Sequence, residues 1–125
     1  MSGQQHATRC VPVTPSAAIS IHDAITFAHA VAGAGTSSAG EHILGFAYEN
    51  IGAGETGNCT TGESAIARAG AEIDGSEQRL KTAAGGALIP WTTSGDIVAA
   101  LLRPGQTAAA AGDLIEVYPL QGAAS

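Results

Sequence analysis

The chain reads as a small all-β domain, a barrel or a sandwich, preceded by an extended N-terminal arm. Three observations predict this. The apolar stretches are short, they are separated by glycine at turn-like intervals, and one strand–turn–strand unit occurs twice. With 125 residues and no long charged or serine-rich interruption, the chain holds one compact domain and short tails. The expected division is an arm over residues 1–16, a β-rich domain over 17–121 and a C-terminal tail over 122–125.

The arm is read from Gln4, Gln5, His6, Thr8, Pro12, Thr14 and Pro15, a polar, proline-marked composition that closes neither a helix nor a central strand. From residue 17 the pattern changes. Strand-length apolar stretches follow at 18–21, 25–31, 43–48, 64–68, 88–91, 97–102 and 114–118. Gly33-Ala34-Gly35, Gly52-Ala53-Gly54, Gly85-Gly86 and Gly112-Asp113 punctuate them. Helix competes in the alanine-rich stretches because alanine is the best helix former. Residues 107–111 are too few to nucleate one between Pro104-Gly105 and Gly112. The window 22–32 is the most helix-compatible, and it is read here as strand.

The repeated unit is an apolar strand, a small-residue turn, a Gly-acid pair and a returning strand. Ile43-Leu44-Gly45-Phe46-Ala47 leads to Gly54-Glu55 and an extended Thr-containing segment. Ile97-Val98-Ala99-Ala100-Leu101 leads to Gly112-Asp113 and Leu114-Ile115-Glu116-Val117. Gly40-Glu41 precedes the first and Gly95-Asp96 the second. Glycine followed by an acid suits a tight turn: glycine supplies positive φ, and the carboxylate accepts local backbone N–H groups. Two such hairpins imply a pseudo-symmetric β architecture.

Composition narrows the function. Hydrophobic residues are 45% of the chain, but much of that share is alanine, which buries little area, so the core is expected to be thin and helped by association. Five basic residues (Arg9, Arg68, Arg79, Lys81 and Arg103) stand against 11 acidic ones, a formal charge of −6. They form no basic stripe, which argues against nucleic acid as a direct partner. No apolar run has signal-peptide or membrane-span length, so no membrane partner is expected. Cys10 and Cys59 lack CxxC spacing and read as free thiols of a reducing compartment, with a disulfide as the alternative if the tail folds back.

No catalytic residues, metal site or cofactor are expected. His6, His22, His29 and His42 lack metal-ligand spacing. Ser64 sits in Gly62-Glu63-Ser64-Ala65-Ile66, which is not the Gly-x-Ser-x-Gly elbow. The glycine pairs lack a Gly-Lys-Ser/Thr ending, so they are turns rather than phosphate loops. The residues singled out for binding a subunit or a larger assembly are Val11, Pro12, Val13 and Pro15 of the arm, and Trp91. A proline-stiffened arm loses little entropy on ordering, and tryptophan is enriched at binding hot spots. The plainer reading of Trp91 is a core or lid residue over a thin barrel.

Several segments resemble the capsid decoration, or cement, proteins of tailed bacteriophages. They are Ile43-Leu44-Gly45-Phe46-Ala47-Tyr48-Glu49, Ala69-Gly70-Ala71-Glu72-Ile73 with Asp74-Gly75, Lys81-Thr82 through Gly86-Ala87-Leu88-Ile89-Pro90, and Gly112-Asp113-Leu114-Ile115-Glu116-Val117. The likeness covers residues 20 to 118 in order. It departs in the longer arm and at Leu101-Leu102-Arg103-Pro104. The resemblance implies a small barrel or β-tulip-like sandwich that is made in the bacterial host cytoplasm and binds the outer capsid surface of the virion. The implied partners are the phage major capsid protein and further copies of the chain, as a homotrimer. Binding only the expanded shell would stabilise it by mass action. The runner-up is a receptor- or carbohydrate-binding β module of a tail or fibre, for which the few aromatics are a poor supply. An enzyme is not expected.

Overall fold

The computed structural model describes residues 10–32, 42–61, 64–92 and 96–120. Among them nine strands form: β1 (Cys10–Val13), β2 (Ala24–Ile25), β3 (Gly45–Ala47), β4 (Gly57–Thr60), β5 (Ala65–Arg68), β6 (Arg79–Thr82), β7 (Leu88–Pro90), β8 (Ala100–Leu102) and β9 (Leu114–Pro119). The helical content of the described residues is one 3-10 turn, Ala84–Gly86. The strands make two antiparallel sheets, in the orders β1-β4-β3-β2 and β5-β9-β8-β6-β7. The all-β expectation holds, as two sheets across a shared core.

The second sheet follows the period-2 rule. In β5, Ala65 and Ala67 are buried while Ile66 is exposed; in β9, Ile115 and Val117 are buried while Leu114 and Tyr118 are exposed. Its inner face meets Phe46, Ala24, Ala32 and Ile43 from the first sheet and its loops. The first sheet does not alternate: Gly45, Phe46 and Ala47 are all buried. Its other face carries a second cluster of Val13, Ile25, Ala47 and Cys59, closed over by Ile19 and Ile51. Those two isoleucines exchange both backbone bonds, at 2.8 and 2.9 Å. A sheet covered on both faces reads as continuous apolar sequence, which is why 43–48 shows no alternation.

The repeated unit is physical. β3 and β4 form an antiparallel hairpin in one sheet, and β8 and β9 form one in the other. Gly54 and Gly112 take φ of 78° and 98°. The following acids accept backbone N–H groups: Glu55 Oε1 from Gly52 at 3.1 Å, and Asp113 Oδ2 from Ala109 at 2.9 Å.

The sheets are also tied by charge. Asp23, buried just before β2, pairs with Arg68 of β5; its other oxygen accepts the Ser20 N–H at 2.9 Å. Arg68 also donates to the Gly85 carbonyl at 2.7 Å, and the Gly86 N–H donates to Ala32 at 3.0 Å.

Several expectations are corrected. The arm does not extend to residue 16: residues 10–13 pair along their length with β4, and the side chains of Val13 and Pro15 are fully buried. Proline is tolerated in β1 because the strand lies at a sheet edge. The window 25–31 is not one strand. After β2 the chain turns, Thr26 N–H donating to Ala30 O at 2.8 Å, and returns to bridge Val31 with Ile25. Its helical alternative is not adopted either. β6 was not anticipated, since Arg79 and Lys81 mask a strand whose Leu80 and Thr82 point inward. Residues 1–9, the turn at 33–35, Gly40-Glu41 and the tail at 122–125 lie outside the described residues.

Candidate functional site

Residues of β3, β4, β5 and β9, from both sheets, line a groove of about 490 Å3. Phe46, Ala47 and Ala65 line it, with Ile21, Tyr48 and Ile66 among its residues and Thr60, Ser64, His22 and Glu116 as its polar members. Ile21, Tyr48 and Ile66 are 38%, 62% and 41% exposed, an unusual concentration of large apolar side chains beside one opening. Ser64, His22 and Glu116 thus share one opening, but no hydrogen bond joins them. The Glu116 carboxylate instead accepts from Arg103 Nη1 at 2.6 Å, and this pairing raises the Arg103 pKa further above its ordinary value.

The outer face of the second sheet carries a cross-strand row. Tyr118 lies opposite Leu101, Leu101 opposite Arg79, and the Trp91 N–H donates to Arg79 O at 2.8 Å. The Arg79 guanidinium stacks 4.0 Å above the Trp91 ring and forks onto Glu77, whose carboxyl its hydrogen bonds hold below the usual range. Trp91 Nε1 donates to the Asp96 carbonyl at 2.8 Å, while Lys81 Nζ lies 2.5 Å from the Asp96 carboxylate. Trp91 is therefore a half-buried, pinned ring on the outer surface, not a core residue.

The other candidates separate. Val11 and Pro12 lie on the β1 edge, whereas Val13 and Pro15 fill the molecule's own core and present no side chain outward. That burial corrects their expected role in contacting a partner. Trp91 is on the other sheet, so the five do not form one site. The four described cations, Arg68, Arg79, Lys81 and Arg103, are each paired with a carboxylate.

Among the described residues no group of three or more His, Cys, Asp or Glu side chains could hold a metal ion. His22 and His29 take positive φ, 76° and 62°; His29 Nδ1 accepts the Thr14 N–H at 3.2 Å. His42 Nδ1 is buried without a partner among them, and His6 lies outside them. Cys10 and Cys59 are both free. The N-terminal segment from Cys10 does fold back onto the domain, but Cys59 lies opposite Val11, so Cys10 points to the other face of the sheet and a disulfide is ruled out by register. No described helix is long and apolar enough to cross a membrane.

No protein-family model and no curated protein sequence matches the chain. Its fold is similar to a solved structure, the head fibre gp8.5 N base of bacteriophage phi29. The TM-score is 0.65 at 12% sequence identity, over 91% of this chain and 95% of that one. At that identity the likeness concerns the fold.

Proposed function

We propose that this chain is a non-catalytic structural protein of a tailed-phage head, docking on the outer surface of the shell and bridging major capsid subunits. The observation that carries the reading is the end-to-end fold likeness to a head fibre base, with nearly all of both chains aligned. Two features support it. The four described cations are each paired with a carboxylate of the chain itself, and three of the six exposed large apolar residues among the described ones, Ile21, Tyr48 and Ile66, line one groove, which suits a molecule that works by covering surface.

The mechanism is linkage. A protein that binds the expanded lattice and not the loosened one raises the free energy of opening by its binding free energy. Association of copies, as trimers, multiplies weak contacts into avidity. The test mixes purified protein with expanded capsids lacking it, measuring co-sedimentation and heat-induced release of packaged DNA. Binding with later release is expected; absence of both overturns the proposal. Tyr48 at the groove rim is the one observation favouring a carbohydrate-binding fibre module. Glycan binding without capsid binding would select that reading.

A further inference from the structure

Along the outer edge of β1 a proline and a histidine guard successive outward positions, and only the histidine can take a proton. Both backbone groups of Asn58 face away from β1: its carbonyl accepts from Tyr48 N–H at 3.0 Å, and its N–H donates to Glu49 Oε2 at 3.0 Å. Pro12, opposite Asn58, therefore turns its ring nitrogen outward, and that position offers no donor. By the same alternation the next outward donor is the Thr14 N–H, and His29 Nδ1 accepts it at 3.2 Å.

The turn after β2 carries the ring to that N–H. His29 donates its own N–H to Thr26 O at 3.0 Å, while Thr26 N–H donates to Ala30 O at 2.8 Å. His29 holds φ at 62°, a left-handed conformation that disfavours any residue with a Cβ, and the contact made by its side chain offsets that cost. The bond also assigns the tautomer. A ring nitrogen that accepts carries no hydrogen, so the neutral ring has its hydrogen on Nε2. Protonation turns Nδ1 into a donor facing another donor, and the bond is lost.

We infer that His29 is a pH-sensitive latch: neutral, it ties the 26–30 turn to the edge of β1, and protonated, it lets go. The latch stands independently of the proposed head function. Phe27, 53% exposed, sits on that turn, so the latch governs how firmly the turn presents it. β1 itself keeps its ladder with β4, the 2.8 Å bond between Thr14 Oγ1 and Thr56 Oγ1, and the 2.7 Å bond from Gly54 N–H to Pro15 O. None of these involves a titrating group, so opening is confined to the turn. The other titratable groups on the surrounding elements are few. Cys10 lies at the far end of β1, Glu55 beside Thr56 turns its carboxylate to the Gly52 N–H, and of His22 and Asp23 before β2 the aspartate is paired with Arg68. Among the described residues no carboxylate stands within ion-pair distance of the His29 ring.

The test follows the His29 ring and the Thr14 amide by NMR from pH 8 to 5, in the wild type and in His29→Asn, which tolerates the left-handed φ and does not titrate. In the wild type the Thr14 amide shift is expected to move with the ring's own titration, at the same midpoint. Its protection from hydrogen exchange, referred to an unfolded amide at the same pH, should fall by about two- to tenfold across that midpoint, the worth of one exposed hydrogen bond. In His29→Asn both readings should stay flat over the same range. A wild-type Thr14 amide that does not respond while the ring titrates overturns the latch, and so does an equal response in His29→Asn.

Discussion

Cys59 lies in the outer cluster of the first sheet with Val13, Ile25 and Ile51, fully shielded from solvent, and burial pushes its pKa from 9.0 up to about 12. Cys10 is exposed on the adjoining strand. A thiol reagent at pH 8 is expected to modify one cysteine in the native protein and two after denaturation; two in the native state would contradict the burial. The raised value also sets a sign. Below pH 9.0 the thiol is protonated folded or unfolded, and its contribution is intact. Between 9.0 and about 12 the unfolded chain loses the proton more readily, so stability falls as pH rises through that window. Chemical denaturation from pH 8 to 11 on wild type and Cys59→Ala would isolate this: the wild type loses stability more steeply. Asp23 is the second decisive residue, since its carboxylate serves Arg68 and Ser20 together. Asp23→Ala is expected to cost about 2 kcal/mol, below the range for a wholly buried pair because Arg68 is partly exposed, with Asp23→Asn intermediate. Urea midpoints would rank the three proteins.

Pro12 acts on the element that carries it. Its outward nitrogen leaves a gap in the β1 edge, so Pro12→Thr restores a donor without disturbing the bonds to β4. The variant is expected to fold and to self-associate beyond the wild type, as sedimentation velocity over a concentration series would reveal. Unchanged association would mean that the edge is blocked by something other than the proline. The same proline hid β1 in the sequence: a strand breaker in a polar context reads as an arm, and its edge position is decided by β4, over forty residues away. The hairpins were legible because their determinants are local, a positive-φ glycine and an acid able to cap the turn. β5, β7, β8 and β9 were legible as apolar runs between turns. β6 was not, because one inward leucine between Arg79 and Lys81 gives no apolar run. The groove had no local signal at all. His22, Tyr48, Ser64 and Glu116 come from four separate stretches, and only the packing of the two sheets assembles them.

At the scale of the molecule, the two sheets share one core. Phe46 comes from the first sheet, yet clusters with Ala67, Leu80, Ile115 and Val117 of the second. Alanines fill much of the remaining inner face, so this one ring supplies a large part of the apolar area between the sheets. The molecule carries a reporter in each half: Trp91, flanking β7 in the second sheet, and Cys59 in β4 of the first. If the core is shared, denaturant must release both at once, because separating the sheets exposes Phe46 and breaks the Asp23–Arg68 tie in one step. Trp91 fluorescence and Cys59 reactivity are therefore expected to report one coincident midpoint. Phe46→Ala should shift both together by about 3 to 5 kcal/mol, the cost of emptying an aromatic site. Two separated midpoints would show that each sheet closes on its own cluster. The groove between them would then be a junction of independent units rather than a fixed cleft.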